Sequence, residues 1–208
     1  MAKITDIKSQ KNKDRVNLYL DGKFYSGLMK ETLFSNNLKV GDYIDENKLK
    51  DILFASETKV AFEKALSLLE RKLYFEKELR LKLKEKGFID EIIDRVVGKL
   101  KDYNYINDDG LVKSYISSQK VKSKKEIEFK LKQKGVSDYY IRKHTDEISE
   151  EDEENKCLLV CEKYARNKEI TKENIQKILK YLVGKGFSFD VAKRVVNKKF
   201  KNFEVDYD

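Results

Sequence analysis

KLKEKGF at 82–88, KLKQKGV at 130–136 and YLVGKGF at 181–187 are three versions of one ending, in a chain of 208 residues without proline. Their glycines, Gly87, Gly135 and Gly186, stand 48 and then 51 residues apart. Self-similarity at such a period marks a supersecondary unit used repeatedly. Read alone, the first two copies are ambiguous, because Leu79, Leu81 and Leu83, like Ile127, Phe129 and Leu131, alternate as strand residues do. The third copy decides. Its Ile175, Ile178, Leu179 and Leu182 recur at spacings of three and four, and alignment on the glycines sets Ile178 with Leu79 and Ile127, and Leu182 with Leu83 and Leu131. All three segments are therefore predicted to be helices.

Each glycine is predicted to end its helix in the left-handed conformation, which glycine adopts without a Cβ penalty. A lysine precedes each, at 86, 134 and 185, suiting the negative helix end. Another helix follows each glycine. Ile89, Ile92, Ile93, Val96, Val97 and Leu100 form its apolar stripe in the first copy, and Val191, Val195 and Val196 in the third. The second has Tyr139, Tyr140 and Ile141, then His144 where the others carry Val96 and Val195, so His144 reads as a core-edge residue. With one helix added upstream of each segment, the expected organisation is three three-helix repeats at 56–106, 107–152 and 153–208. Stacked repeats touch only their neighbours and predict an elongated, curved, mainly α body with a long binding face. Ser56 is the expected N-cap of the first helix, with Glu57 at its positive end, and Ser123 with Glu126 forms a capping box. Asp108-Asp109 reads as a loop between helices.

Residues 1–55 differ. Val16, Leu18 and Leu20 alternate at strand period, and Asp21-Gly22 suits the two positive-φ positions of a tight hairpin, so a small antiparallel β region is expected.

Composition removes several function classes. His144 is the single histidine, which argues against most zinc sites and any histidine-dependent triad. Neither GxGxxG nor GxxxxGK[ST] occurs, so the usual nucleotide-cradling loops are missing. Cys157 and Cys161, four apart in CLLVC, suit neither a redox CxxC pair nor a disulfide network and read as buried apolar residues. No catalytic residue, metal or cofactor is expected. The charged N-terminus MAKITDIKSQ and the lack of an apolar run near the ~20 residues that span a bilayer predict a cytoplasmic protein without a membrane partner.

A net charge of +8, from 45 Lys and Arg against 37 Asp and Glu, favours a polyanionic partner. The densest basic stretch holds Lys120, Lys122, Lys124, Lys125, Lys130, Lys132 and Lys134 against Glu126 and Glu128. Arg71, Lys72 and Arg80 in the first repeat and Lys177 and Lys180 in the third complete the candidate partner- or DNA-binding set. Tyrosines interleave with this charge and can stack on bases. The residues alone leave open a direct single-stranded nucleic-acid binder and a helical protein–protein adaptor.

The segments ALSLLERKLYFEKELRLKLKEKGF (65–88), YINDDGLVKSYI (105–116), KKEIEFKLKQKGV (124–136) and ILKYLVGKGFSFDVAKRVV (178–196) resemble the RecX family, bacterial regulators of the RecA recombinase. The likeness extends over nearly the whole chain. Three positions depart from the pattern: Phe75 replaces a serine before the first KGF helix, Leu111-Val112 replaces Phe-Ala, and VKSKKE lacks a glycine before the second. The resemblance implies a non-enzymatic, monomeric modulator. It would bind the RecA filament on single-stranded DNA and suppress strand exchange, ATP hydrolysis and coprotease activity in recombination, repair and the SOS response.

The glycine reading has a direct consequence. Gly135→Val is expected to cost on the order of 1 kcal/mol or more, because a β-branched residue fits the left-handed region poorly. The thermal melting midpoint measures it, and an unchanged midpoint refutes the cap.

Overall fold

The computed structural model describes residues 1–200. The chain divides into two compact units, one of Met1–Ile106 and one beginning at Asn107. It is mainly helical, with a small antiparallel sheet at its start.

Strands β1 (Ala2–Ser9), β2 (Arg15–Leu20), β3 (Lys23–Met29) and β4 (Tyr43–Ile44) pair antiparallel in the order β3-β2-β1-β4. Asp21 and Gly22 take φ values of 47° and 79°, so the β2–β3 connection is the tight turn their types favour. Val16, Leu18 and Leu20 point into one core with Ile4 and Leu28, as their alternation predicts. A short helix α1 (Lys30–Ser35) follows β3.

Helix α2 (Glu46–Leu69) starts ten residues before the expected cap at Ser56. Asp45 is the cap, its carboxylate accepting from the Lys48 N–H at 2.9 Å. The extra turns lay Leu49 and Leu53 over the sheet, so the helix is long because its first part covers the strand core. Ser56 instead accepts a hydrogen bond from the Asn36 amide. Glu57 points inward, only 5% exposed, and accepts from the Met29 N–H at 2.7 Å and the Thr32 hydroxyl at 2.5 Å. Its partner is Arg15 of β2, also 5% exposed, at 3.6 Å. Burial lowers the Arg15 pKa and Glu57 opposes that shift. The guanidinium also donates to the carbonyl oxygens of Gly27 and Lys86 and lies over the Phe88 ring. One buried cation thus ties the sheet, α2 and the first glycine turn together.

Helices α3 (Glu76–Glu85) and α4 (Asp90–Asp102) pack with α2 around Leu79, Leu83, Phe88, Ile93, Val96 and Leu100. Phe75 supplies no side-chain cap to α3, but the Glu78 carboxylate accepts from the Phe75 N–H at 3.3 Å, keeping one half of a capping box.

In the second unit α5 (Asp108–Ser118), α6 (Lys124–Gln133) and α7 (Asp138–Thr145) precede α8 (Glu150–Ala165), α9 (Lys172–Gly184) and α10 (Phe189–Lys199). Each of these helices except α10 and α8 begins, as those two also do, at a capping side chain: Asn107, Ser123, Ser137, Ser149, Thr171 and Ser188 all accept from a backbone N–H in the first turn. Asp108 and Asp109 are the first turn of α5 rather than a loop, as suits carboxylates at a positive helix end. Helices α8, α9 and α10 enclose Cys157, Cys161, Ile175, Ile178, Leu182, Phe187, Val195 and Val196. The last expected residues of this segment, 201–208, lie outside the described residues.

All three glycine turns share one hydrogen-bonding scheme. Gly87, Gly135 and Gly186 have φ of 90°, 80° and 90°. Phe88, Val136 and Phe187 donate backward to the carbonyls of Leu83, Leu131 and Leu182 at 3.3, 3.1 and 3.3 Å. The glycines donate to Lys84, Lys132 and Val183 at 2.8, 2.9 and 2.9 Å. This is the Schellman arrangement, with the apolar contact that accompanies it, since all six outer residues are buried.

Glu57→Leu is expected to destabilise by about 3–5 kcal/mol, because it leaves Arg15 a buried, unpaired charge. Glu57→Gln should cost less, since its amide oxygen can still accept from Met29. Urea denaturation distinguishes the two, and equal losses would mean that charge pairing contributes nothing.

Candidate functional site

Helix α6 carries the centre of the basic stretch. Ile127 and Leu131 are fully buried, which turns Lys125, Phe129 and Lys132 outward, with Phe129 58% exposed. The helix start is held by its neighbours. Ser123 accepts from the Glu126 N–H at 3.1 Å and donates to the Lys185 carbonyl at 2.8 Å. The Glu153 carboxylate of α8 accepts from the Lys124 N–H at 3.0 Å. Burial raises the Glu153 pKa and that backbone hydrogen bond opposes it. A methyl group on Gly186 would stand 2.7 Å from the Ser123 hydroxyl, so the third glycine turn can sit against α6 only as glycine.

The lysines predicted to act together have different surroundings. Lys124 pairs with Asp146 at 2.8 Å and Lys132 with Asp138 at 2.9 Å. The hydrogen bond from Lys132 and its charge hold the Asp138 carboxyl below its ordinary pKa. Lys130 reaches Gln133 and lies over the Phe129 ring, and Lys122 lies over Tyr115. Lys120 and Lys125 are exposed, and Lys134 is half-buried. Lys124 and Lys125 line a cavity of about 700 Å³ together with Gly186, Phe187 and Ser188. Lys177 and Lys180 stand on the exposed face of α9.

In the first unit Arg71 is exposed and Lys72 covers the Tyr74 ring at 4.2 Å. Arg80 is pinned between Glu76 at 2.7 Å and Asp94 at 2.5 Å, while Lys101 also reaches Glu76. Burial works against ionisation of Glu76, yet hydrogen bonds from Lys101 and Arg80 bring its pKa below the ordinary value.

Sequence reading missed a clasp across two glycine turns. Lys84 pairs with Asp90 at 2.9 Å as Lys132 does with Asp138, and each pair lies three residues either side of its glycine. The third turn has Val183 and Phe189 at those places, 40% and 48% exposed. Placing the acidic residues in the glycine alignment would have found it. Also missed was Asp109, which binds Lys143 at 2.8 Å and His144 at 2.7 Å. Hydrogen bonds from Lys143 and then His144 lower its pKa. His144 is 8% exposed, in keeping with its reading as a core-edge residue.

Among the described residues no group of three His, Cys, Asp or Glu could hold a metal ion, and no helix is long and apolar enough to cross a membrane. A small sheet, triads of short capped helices and outward cationic faces define a modular helical binding protein. Family models agree in detail. The regulatory protein RecX N-terminal domain matches residues 2–45, the first three-helix domain of RecX matches 61–100, and the third matches 151–196. Regulatory protein RecX of Clostridioides difficile (strain 630) is 38% identical over 100% of both chains. That of Clostridium botulinum (strain Alaska E43 / Type E3) is 33% identical over 98% of this chain and 99% of its own. A crystal structure of regulatory protein RecX superposes with a TM-score of 0.65 at 26% identity, covering 98% of this chain and 100% of that one. RecX from Lactobacillus salivarius shares the fold at a TM-score of 0.64 and 24% identity, over 72% of this chain and 99% of its own. The chain belongs to the RecX family.

Both cysteines are free and buried. Burial pushes the Cys157 thiol up to about 12 and the Cys161 thiol up to about 11. Because the thiolate is the reactive form, neither should react with a disulfide reagent at pH 8 until the protein unfolds. Rapid native-state labelling of either thiol, followed by absorbance, would refute this.

Proposed function

We propose that this protein is a negative modulator of RecA that binds the RecA–single-stranded DNA filament and inhibits its recombinase, ATPase and coprotease activities. On this reading it acts in the cytoplasm, as a monomer and without catalysis. The observation that carries the reading, for a member of the RecX family, is a recurring outward cationic face on the second helix of each three-helix segment. Lys82 and Lys84 on α3, Lys125 and Lys132 on α6, and Lys177 and Lys180 on α9 are all exposed. A repeated face suits a repeated partner, because each contact after the first forms at high local concentration. The division into a β region at 1–55 and repeats at 56–106, 107–152 and 153–208 then corresponds to one contact module per repeat.

A second reading, direct binding of single-stranded DNA, is favoured by Phe129 and Tyr139, exposed beside lysines where bases could stack.

The test uses Lys125→Glu, Lys130→Glu, Lys177→Glu and Lys180→Glu together, leaving Lys124 and Lys132 in their ion pairs. Helicity should be unchanged, since Glu is a good helix former. Inhibition of RecA strand exchange and ATP hydrolysis should require roughly tenfold more variant than wild type, and wild-type inhibition should weaken as salt rises. Unchanged inhibition would remove these faces from the contact. Tight binding of wild type to bare single-stranded DNA, with indifference to RecA-coated DNA, would favour the second reading.

A further inference from the structure

Helices α5 and α8 and the segment after α7 enclose a cavity of about 420 Å³ in the second unit, within the range of small-molecule sites. His144 lines it, and its ring is held with one nitrogen committed. Nε2 lies 2.7 Å from Asp109 Oδ1. Lys143 and His144 both favour the charged form of that carboxylate, so the carboxylate accepts and Nε2 carries the proton. In the neutral imidazole this leaves Nδ1 as an acceptor. Nδ1 is buried and has no hydrogen-bond partner among the described residues. The nearest carboxylate, Glu147, is 3.9 Å away and lines the same cavity. Glu147 is itself an acceptor, so neither group satisfies the other in this state. An unsatisfied buried acceptor is costly, and a ligand that brings a donor removes the cost.

The remaining lining narrows the ligand. Lys113, Lys120 and Lys156 call for an anion, and Glu147 and Asp152 offset only part of their charge. Ile116, Ile148 and Leu159 give apolar walls for a flat, weakly polar body. A ligand with hydrogen-bond donors, an apolar face and an anionic group has the chemistry of a nucleotide whose base carries an exocyclic amine.

We propose that this cavity binds one nucleotide, the amine-bearing base edge meeting His144 Nδ1 and Glu147 and the phosphate meeting the lysines. The nucleotide comes either from solution or from a nucleic-acid strand. The site lies apart from the lysines of the filament reading that are reversed above, and its test contains no RecA, so each idea can fail without the other.

His144 is the single histidine, so a long-range proton–nitrogen correlation spectrum of the ¹⁵N-labelled full chain reports Nδ1 without ambiguity. Deoxyadenosine monophosphate should move the Nδ1 resonance in the direction of accepted hydrogen bonding, whereas inorganic phosphate should not. The same movement with a short oligo-dA as with the monophosphate identifies a free nucleotide as sufficient. Movement with oligo-dA alone assigns the site to a strand. Lys113→Ala with Lys156→Ala should weaken binding roughly tenfold, the loss expected for charge-assisted hydrogen bonds. His144→Phe should abolish the preference for the amine-bearing base over thymidine monophosphate. Should His144→Phe fail to fold, the lysine variant still decides. The proposal is overturned if neither nucleotide probe moves Nδ1, if a phosphoserine peptide moves it equally, or if the lysine variant binds as wild type does.

Discussion

A left-handed residue after the second helix of every three-helix segment is the constraint on which the helical part of this protein depends. With φ near 90° the chain turns at Gly87, Gly135 and Gly186, and the next residue's N–H reaches back to a leucine carbonyl. That bond draws Phe88, Val136 or Phe187 onto the buried face of the helix just ended. The turn therefore determines where the third helix starts and which side chain begins its core. At two of the turns the missing Cβ has a second use. Gly87 leaves room for the Arg15 side chain, whose Cδ would be 2.8 Å from an added methyl, and Gly186 leaves room for Ser123. The same residue type meets a backbone requirement and a packing requirement, so a substitution that could tolerate the dihedral would still meet an obstacle.

Buried charge is used sparingly and with its partners supplied. Arg15 and Glu57 satisfy each other and also four backbone or hydroxyl groups from β3, α1 and the first turn. Such a pair adds little net stability over an apolar replacement, but it penalises any arrangement that separates its partners. Its position, where strands meet helices, is where that penalty specifies how the two are joined. His144 is less complete. Asp109 satisfies one of its nitrogens and nothing among the described residues satisfies the other, a departure from the full pairing of Arg15.

The parts of this fold carried by period were legible in the sequence, and the parts carried by single polar contacts were not. Spacings of three and four around the glycines resolved the helix-or-strand ambiguity at Leu79 and Ile127, and both residues are fully buried on helices. Asp21-Gly22 was readable because positive φ restricts residue type. The start of α2 was misplaced because Ser56 is a good cap by composition, while Asp45 is an equally good one whose helix becomes worthwhile only once Leu49 and Leu53 have a sheet to cover. Glu57 looked like a favourable charge at a helix start. Its real role depends on Arg15, 42 positions away, and no local pattern encodes that contact. In the basic stretch the lysines were countable, but their pairing with Asp138 and Asp146 follows from the turn and from α7.

The three turns also show how one scaffold can carry different chemistry. Positions three before and three after the glycine hold Lys84 and Asp90 in the first segment and Lys132 and Asp138 in the second, and the paired charges lie across the turn from each other. In the third they hold Val183 and Phe189, which stay exposed. Exchanging an exposed ion pair for an exposed apolar pair changes little in stability, since such pairs are strongly screened. It changes what the surface offers to a partner. The same comparison places His144 where Val96 and Val195 fill ordinary cores. Repeats that are equivalent in backbone are thus free to diverge where the turn does not constrain them, and in this chain the divergences fall on an exposed surface patch and on a cavity wall.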